Sequence, residues 1–208
     1  MGRWLSPARW ALVAWWAGAV VGGVGGGLVA HGPAVGAGPA EQRAERLVVR
    51  ELIVVDEAGR ERARLVASRE DVGLRLFDTA GRERVGLAYD GGRDVAGLSV
   101  FDRAGQVRVG LSYGGGLDIA SLGVFDRAGQ VRVGLGYDGG SDGAGLRVSD
   151  RAGQMRAGLG YNGGRDVAGL GVSDSAGQVR ADLAYDGGSD GAGLRVFDRA
   201  GQIVWQAP

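Results

Sequence analysis

A nearly identical unit recurs every 24 residues along most of the chain, and this period constrains the fold more than any other feature. An Asp-x-Ala-Gly tetrapeptide marks the units, and the aspartates that begin it are Asp56, Asp78, Asp102, Asp126, Asp150, Asp174 and Asp198. A tyrosine and a Gly-Gly-x-Asp segment follow with the same period. Self-similarity at a fixed period predicts a repeat architecture, in which each unit packs against its neighbours in sequence.

Two segments of each unit alternate apolar and polar residues, which is typical of half-buried β-strands. In "AGLSVFD" and "QVRVGLSY" the apolar positions are Ala96, Leu98, Val100, Val107, Val109, Leu111 and Tyr113. The tetrapeptide between the two segments has Asp first and Gly fourth, as a type I turn prefers. The sequence therefore predicts one β-hairpin per unit.

The apolar pattern also predicts a register. If Val100 pairs with Val107 across the turn, every apolar residue of the hairpin lies on one face. At the next connection, Leu111 would lie opposite Leu122 on the same face. We therefore predict an all-β repeat domain of tandem antiparallel β-hairpins over residues 47–208, arranged as an extended or curled meander.

A β-solenoid, with one coil per unit, is the alternative fold. It would stack the equivalent arginines at about 4.8 Å, whereas a meander separates them by about 9.6 Å. Like charges repel more strongly at the shorter distance, so the arginine column favours the meander. The arginines concerned are Arg62, Arg84, Arg108, Arg132, Arg156 and Arg180.

The N-terminal part predicts a membrane anchor. Residues 10–30 carry no charge and are long enough, as a helix, to cross a bilayer. Arg3 and Arg9 precede this segment, so the positive-inside rule predicts a cytoplasmic N-terminus at residues 1–9. Residues 31–46 are the predicted linker, and the repeat domain would lie outside the membrane. The alternative is a signal peptide cleaved near Val35-Gly36-Ala37, which would release a secreted protein.

Composition narrows the chemistry. With 24 basic and 24 acidic residues the chain has no net charge, which argues against nucleic-acid binding. It has no cysteine, and the only histidine, His31, lies in the linker. The usual nucleophile and base pairs cannot be assembled from such residues, so we predict a non-enzyme without a cofactor.

Two sets of residues are candidates for binding. Asp138, Asp142, Asp186 and Asp190 lie in glycine-rich turns whose oxygen atoms could hold calcium. An aromatic row with neighbouring arginines could instead grip a polysaccharide, and its candidates are Phe77, Phe101, Phe125, Arg108 and Arg132. The alternative is that both sets have structural roles: the aspartates cap turns, and the phenylalanines cover strand glycines.

The segment "VFDRAGQV" resembles the YD repeats of the Rhs family, through Phe101-Asp102, Gly105 and Val107. The match recurs in most units. It departs from the family in its 24-residue step and in Gln106, where the family favours arginine. The resemblance implies a β-hairpin repeat of the cell surface and transfers no catalytic residue.

Together these features predict a bacterial, membrane-anchored, extracytoplasmic repeat protein with a structural, spacer or protein-interaction role. The alternative is a module that binds cell-wall polysaccharide. Self-association is expected through the β domain or through a helix face formed by Gly18, Gly22 and Gly26, because small residues let helices approach closely.

Overall fold

The computed structural model describes residues 44–208, which form one antiparallel sheet of fourteen strands. The strands are β1 (Glu51–Val55), β2 (Glu61–Ala67), β3 (Asp71–Phe77), β4 (Glu83–Asp90), β5 (Val95–Phe101), β6 (Val107–Gly114), β7 (Ile119–Phe125), β8 (Val131–Asp138), β9 (Gly143–Ser149), β10 (Met155–Asn162), β11 (Val167–Ser173), β12 (Val179–Asp186), β13 (Gly191–Phe197) and β14 (Ile203–Ala207). The predicted membrane segment at 10–30, with Gly18, Gly22 and Gly26, lies outside the described residues. Within residues 44–208 no helix is long and apolar enough to cross a membrane.

The sheet is a simple meander, as predicted. Each strand pairs antiparallel with the strands before and after it in sequence, so the spatial order is the chain order. The β-solenoid alternative is wrong for this part of the chain, because equivalent strands of successive units are separated by an intervening strand. Within the described residues β1 and β14 do not pair with each other, and the sheet stays open at both edges.

The predicted pairing of Val100 with Val107 is wrong. Val100 pairs with Val109, and Val107 pairs with Phe101. Two irregularities cause this shift. Gly105, the fourth residue of the turn, adopts a left-handed conformation with φ of 76°, and the backbone N–H of Asp102 donates to the carbonyl of Gln106 across the hairpin. The register shifts once more between Val100 and Phe101 through a β-bulge, in which Arg108 is the extra residue on the partner strand.

Because the two irregularities shift the register by one residue each, Ala96 to Val100 and Val109 to Tyr113 keep the faces predicted for them, whereas Val107 pairs with Phe101. Leu98 still lies opposite another apolar residue, Leu111, and Ala96 lies opposite Tyr113. At the following connection, Leu111 pairs with Leu122, as predicted. A single one-residue shift would have moved half of the apolar residues to the other face. The paired bulges therefore keep one apolar face continuous through the hairpins.

The left-handed glycine gives the first testable prediction. A Cβ at Gly105 would meet no atom within 4 Å, so a substitution there acts through the backbone alone. We expect Gly105→Ala to lower the free energy of unfolding by about 1 kcal/mol, because alanine disfavours positive φ. Gly105→Asn is the control and should lose less, since asparagine tolerates this conformation. Urea titration of both variants measures the difference, and equal losses would contradict the turn geometry.

Candidate interaction surfaces

Seven equivalent turns lie along one edge of the sheet, where the odd-numbered strands end, and their aspartates act as caps. In the turn after β5, Asp102 Oδ1 accepts hydrogen bonds from the backbone N–H groups of Ala104, at 2.7 Å, and Gln106, at 3.1 Å. The backbone N–H of Gln106 is the main cause that lowers the pKa of Asp102 below its ordinary value of 3.8, while partial desolvation opposes it. These aspartates therefore bind backbone N–H groups of their own turns, as the interpretation of turn aspartates as caps predicted.

Arginines of the column join successive turns at Arg108, Arg156 and Arg180. Arg108 contacts the carboxylate of Asp102 in its own hairpin and the backbone carbonyl of Asp126 in the following one. Arg180 repeats the pattern with Asp174 and the carbonyl of Asp198. Because each arginine has a carboxylate beside it, the repulsion expected along the column is offset locally. Arg108, a candidate ligand residue, thus has a structural role between turns.

The opposite edge contains the Gly-Gly-x-Asp turns, where each aspartate reaches the next turn. Asp94 has φ of 52°, and its carbonyl accepts a hydrogen bond from Gly115 N at 2.9 Å. Its carboxylate lies where a side chain at Gly115 would be, with Oδ2 only 1.8 Å from an ideal Cβ position. Tyr89 donates a hydrogen bond to Asp94 Oδ1 at 3.2 Å, and this bond raises the pKa of the tyrosine. Gly139, Gly163 and Gly187 are crowded in the same way by the aspartate of the preceding turn, so the first glycine of these motifs is needed for space.

The calcium candidates lie in these same turns. Asp138 Oδ1 accepts a hydrogen bond from Gly140 N at 3.0 Å, and Asp186 Oδ1 accepts the equivalent bond from Gly188 N. Asp142 and Asp190 have positive φ, and the Asp142 carboxylate packs against Gly163 of the next unit. Among residues 44–208 no three His, Cys, Asp or Glu side chains gather into a metal-ligating group. Calcium binding stays a prediction.

The candidate aromatic residues end alternate strands, on the face opposite the leucines. Phe77, Phe101 and Phe125 are the last residues of β3, β5 and β7. The Phe101 ring lies over a glycine of the adjacent strand, 3.7 Å from the position of a Cβ on Gly86. Phe125 is 7% exposed and is the one apolar side chain buried within the described residues. The Phe101 ring therefore covers bare backbone, and Arg132, another candidate residue, contacts Asp126.

The face that carries the phenylalanines is the more buried of the two. Small residues dominate its central positions, where Ser121 is 8% exposed and Ser112 Oγ lies 2.8 Å from Ser121 Oγ. Arg147 Nε donates to Ser149 Oγ at 3.0 Å across the same surface. Serines, glycines and the long arginine and phenylalanine side chains thus form a filled polar layer.

The opposite face, which we call the leucine face, is open to solvent. A continuous row of cross-strand paired leucines runs from β1 to β13 along its centre, and Leu111 and Leu135 are each 51% exposed. The row consists of Leu52, Leu65, Leu74, Leu87, Leu98, Leu111, Leu122, Leu135, Leu146, Leu159, Leu170, Leu183 and Leu194. Self-association through the β domain, expected from the sequence, stays a prediction, and this row with its one leucine per strand is the surface available for it.

The close approach at Gly115 gives a second prediction with a control in the same turn. We expect Gly115→Ala to lower the melting temperature, because its methyl group would displace the Asp94 carboxylate and break the bond from Tyr89. Gly116→Ala should be neutral or slightly stabilising, since nothing lies within 4 Å of its Cβ position. Thermal unfolding followed by circular dichroism compares the two, and similar melting temperatures would refute the proposed crowding.

The turn aspartates predict a loss of stability in acid. The folded state lowers the pKa of Asp56, Asp78, Asp102, Asp126 and Asp174, in each case chiefly through a backbone N–H hydrogen bond. A carboxylate with a depressed folded pKa stabilises the fold above its unfolded value, and this contribution disappears as pH falls through the folded value. The urea midpoint should therefore be constant above about pH 5. It should decrease once the pH is lowered below 3.8, the ordinary pKa of aspartate.

A pair of charge-matched variants tests the origin of this acid sensitivity. Asp102→Asn should make the dependence of the urea midpoint on pH shallower by the share of one cap, because the amide oxygen still accepts hydrogen bonds but does not titrate in this range. Glu57→Gln removes the same charge from an exposed turn position and should leave the slope unchanged. Equal slopes in the two variants would show that the cap does not cause the effect.

Comparison with known proteins assigns no role to these surfaces. No protein-family model matches the chain, and no curated protein matches it either. The resemblance of "VFDRAGQV" to YD repeats stays a prediction that depends on the residues alone.

Proposed function

We propose that this chain is a membrane-anchored, extracytoplasmic repeat protein whose sheet serves as a structural, spacer or protein-interaction module. The uncharged segment at 10–30, with Arg3 and Arg9 before it, supports an anchor whose N-terminus is inside. The uninterrupted meander supports a spacer. Thirteen interstrand steps of about 4.8 Å extend the sheet to roughly 60 Å across its strands.

The observation that carries the interaction role is the exposure of the leucine face. A folded soluble domain normally buries such a surface, because contiguous exposed apolar patches beyond a few hundred Å² are rare on monomers. Here the leucine row and its flanking valines and tyrosines remain open. An apolar face of this kind supports a binding surface for another macromolecule.

The polar groups support a structural role over catalysis. The turn aspartates contact backbone N–H groups and arginines, and the arginines join successive turns. Catalytic groups need a shared cleft in which their protonation is tuned, whereas these repeat once per unit along an exposed edge. The same acid and base side chains are therefore engaged in holding neighbouring hairpins together.

The polysaccharide alternative has less support from the geometry. Stacking on a sugar needs an exposed aromatic ring, and Phe125 is almost fully covered. Arg108 and Arg132, its candidate partners, each contact a turn aspartate. Binding of the full chain to purified cell-wall polysaccharide, with loss of binding in Phe77→Ser, would favour this alternative. Serine is the relevant substitution, because Ser149 and Ser173 occupy the same position in other units.

The anchor is tested with fusions to the C-terminus of the full chain. We expect an alkaline phosphatase fusion to be active, a green fluorescent protein fusion exported through the same pathway to be dark, and the protein to remain in membranes after alkaline carbonate extraction. Val20→Arg with Val21→Arg should abolish membrane retention, because each charge near mid-bilayer costs about 3 kcal/mol.

The control for this experiment is Leu5→Arg, which adds a charge outside residues 10–30 and should leave retention intact. An active phosphatase on a shortened chain in the soluble fraction would favour the cleaved signal peptide. A dark phosphatase with a fluorescent fusion would contradict export altogether.

A further inference from the structure

The leucine face is built from three apolar rows that run across the strands. The leucine row lies in the middle, a row of mostly valines flanks it on the side of the aspartate caps, and a row of tyrosines and alanines flanks it on the other side. From β2 to β13 no charged residue occupies these rows. A solvent-exposed surface rarely has such a composition, because large apolar patches are unfavourable in water. The face is therefore suited to contact with another apolar surface.

The row of tyrosines and alanines alternates large and small side chains from strand to strand. Ala96 pairs with Tyr113, which pairs with Ala120, which pairs with Tyr137, and the alternation continues to β13. The row therefore presents a ring about every 9.6 Å, and one alanine-bearing strand, about 4.8 Å wide, forms the gap between successive rings. Alternating large and small residues allow two facing layers to interdigitate.

The area of the face is large enough for a stable interface. Twelve intervals between β1 and β13 extend about 58 Å, and the three rows cover roughly 20 Å along the strands, which gives on the order of 1,100 Å² per copy. Two such faces would bury about 2,200 Å² in total, somewhat above the usual size of a specific protein interface. A patch confined to a few residues would not support this inference.

We propose that the leucine face packs against the leucine face of a second copy of this chain, forming a two-layered β-sandwich. This inference rests on the interaction role proposed above and names its partner. Tyrosines of one copy fit between the tyrosines of the other, over the alanines, and the two leucine rows meet along the centre. Sheets packed in this way lie about 10 Å apart with their inner side chains interdigitated.

Pitch and charge favour a second copy over a different partner. A facing surface must carry ridges about every 9.6 Å to enter the gaps between the tyrosines, and the same repeat in a second copy has that spacing. The face has no charged group that a differently charged partner could recognise. A contact of one patch with itself also closes at two copies, which agrees with an interface that leaves no leucine row exposed.

Single cysteines in the full chain test the inference, because the natural sequence contains none. Leu135→Cys places a thiol near the middle of the leucine face, and Ser112→Cys places one on the opposite face of β6. After treatment of membranes and of the soluble fraction with a short bis-maleimide, we expect dimers from Leu135→Cys at least five-fold more abundant than from Ser112→Cys. Full maleimide labelling after denaturation confirms that both thiols are present.

The outcomes separate this inference from the anchor. Equal cross-linking from both positions would overturn the face-to-face dimer even if the chain is membrane-bound. Preferential dimers from Leu135→Cys in a soluble chain would support the dimer and contradict the anchor. Cross-links from Leu135→Cys to a product that is not twice the mass of the chain would overturn the second copy as the partner.

A charge variant gives the same test without chemical modification of the face. Leu111→Glu with Leu135→Glu should reduce the sedimenting species of the full chain from dimer to monomer, because paired faces would bury four carboxylates. The variant should keep its β-sheet circular dichroism, since both leucines are half-exposed in a single sheet. Arg103→Glu with Arg127→Glu alters two exposed turn residues as the control and should remain dimeric. A variant that stays folded and dimeric would overturn the proposal.

Discussion

Backbone pairing between strands that are neighbours in sequence is the constraint on which this structure depends. Among residues 44–208 one apolar side chain, Phe125, is buried, so no large hydrophobic core fixes the register of the hairpins. The left-handed Gly105 and the bulge between Val100 and Phe101 fix it instead. Each shifts the register by one residue, and only together do they keep the leucines on one face. Local turn geometry thus determines a leucine row that extends over thirteen strands.

Contacts between successive turns, along both edges at which the strands end, help to hold this single-layered sheet together. On one edge an arginine such as Arg108 joins its own turn to the following one. On the other, Asp94 packs into the space left by Gly115 and bonds to its backbone. Each unit therefore contacts the next through its strands and through both sets of turns. Stability in such arrays is approximately a sum of unit and nearest-neighbour terms, so it should vary smoothly with the number of units.

Periodicity in the sequence was sufficient to predict the hairpins, the meander and the pairing of Leu111 with Leu122, because alternation of apolar residues reports the face of a strand directly. Periodicity was insufficient to predict the partner of Val100. The extra residue of the bulge is Arg108, and an arginine at that position does not distinguish a bulge from regular pairing. The crowding at Gly115 was also missed: it depends on an aspartate 21 positions earlier in sequence. Phe101 was placed on the correct face, but its contact with Gly86 required coordinates.

The repeat also relates interface size to chain length. Every additional 24-residue unit adds two strands, and therefore roughly 190 Å² to the leucine face, while the two unpaired terminal strands remain two in number. Duplication of a segment such as "DGGSDGAGLR", which occurs twice without change, would extend the apolar rows without disturbing their spacing. A second copy of equal length is lengthened by the same duplication, so complementarity is preserved automatically. A different partner would have to change in parallel, and for this reason a repetitive, uncharged face is better matched by itself than by another protein.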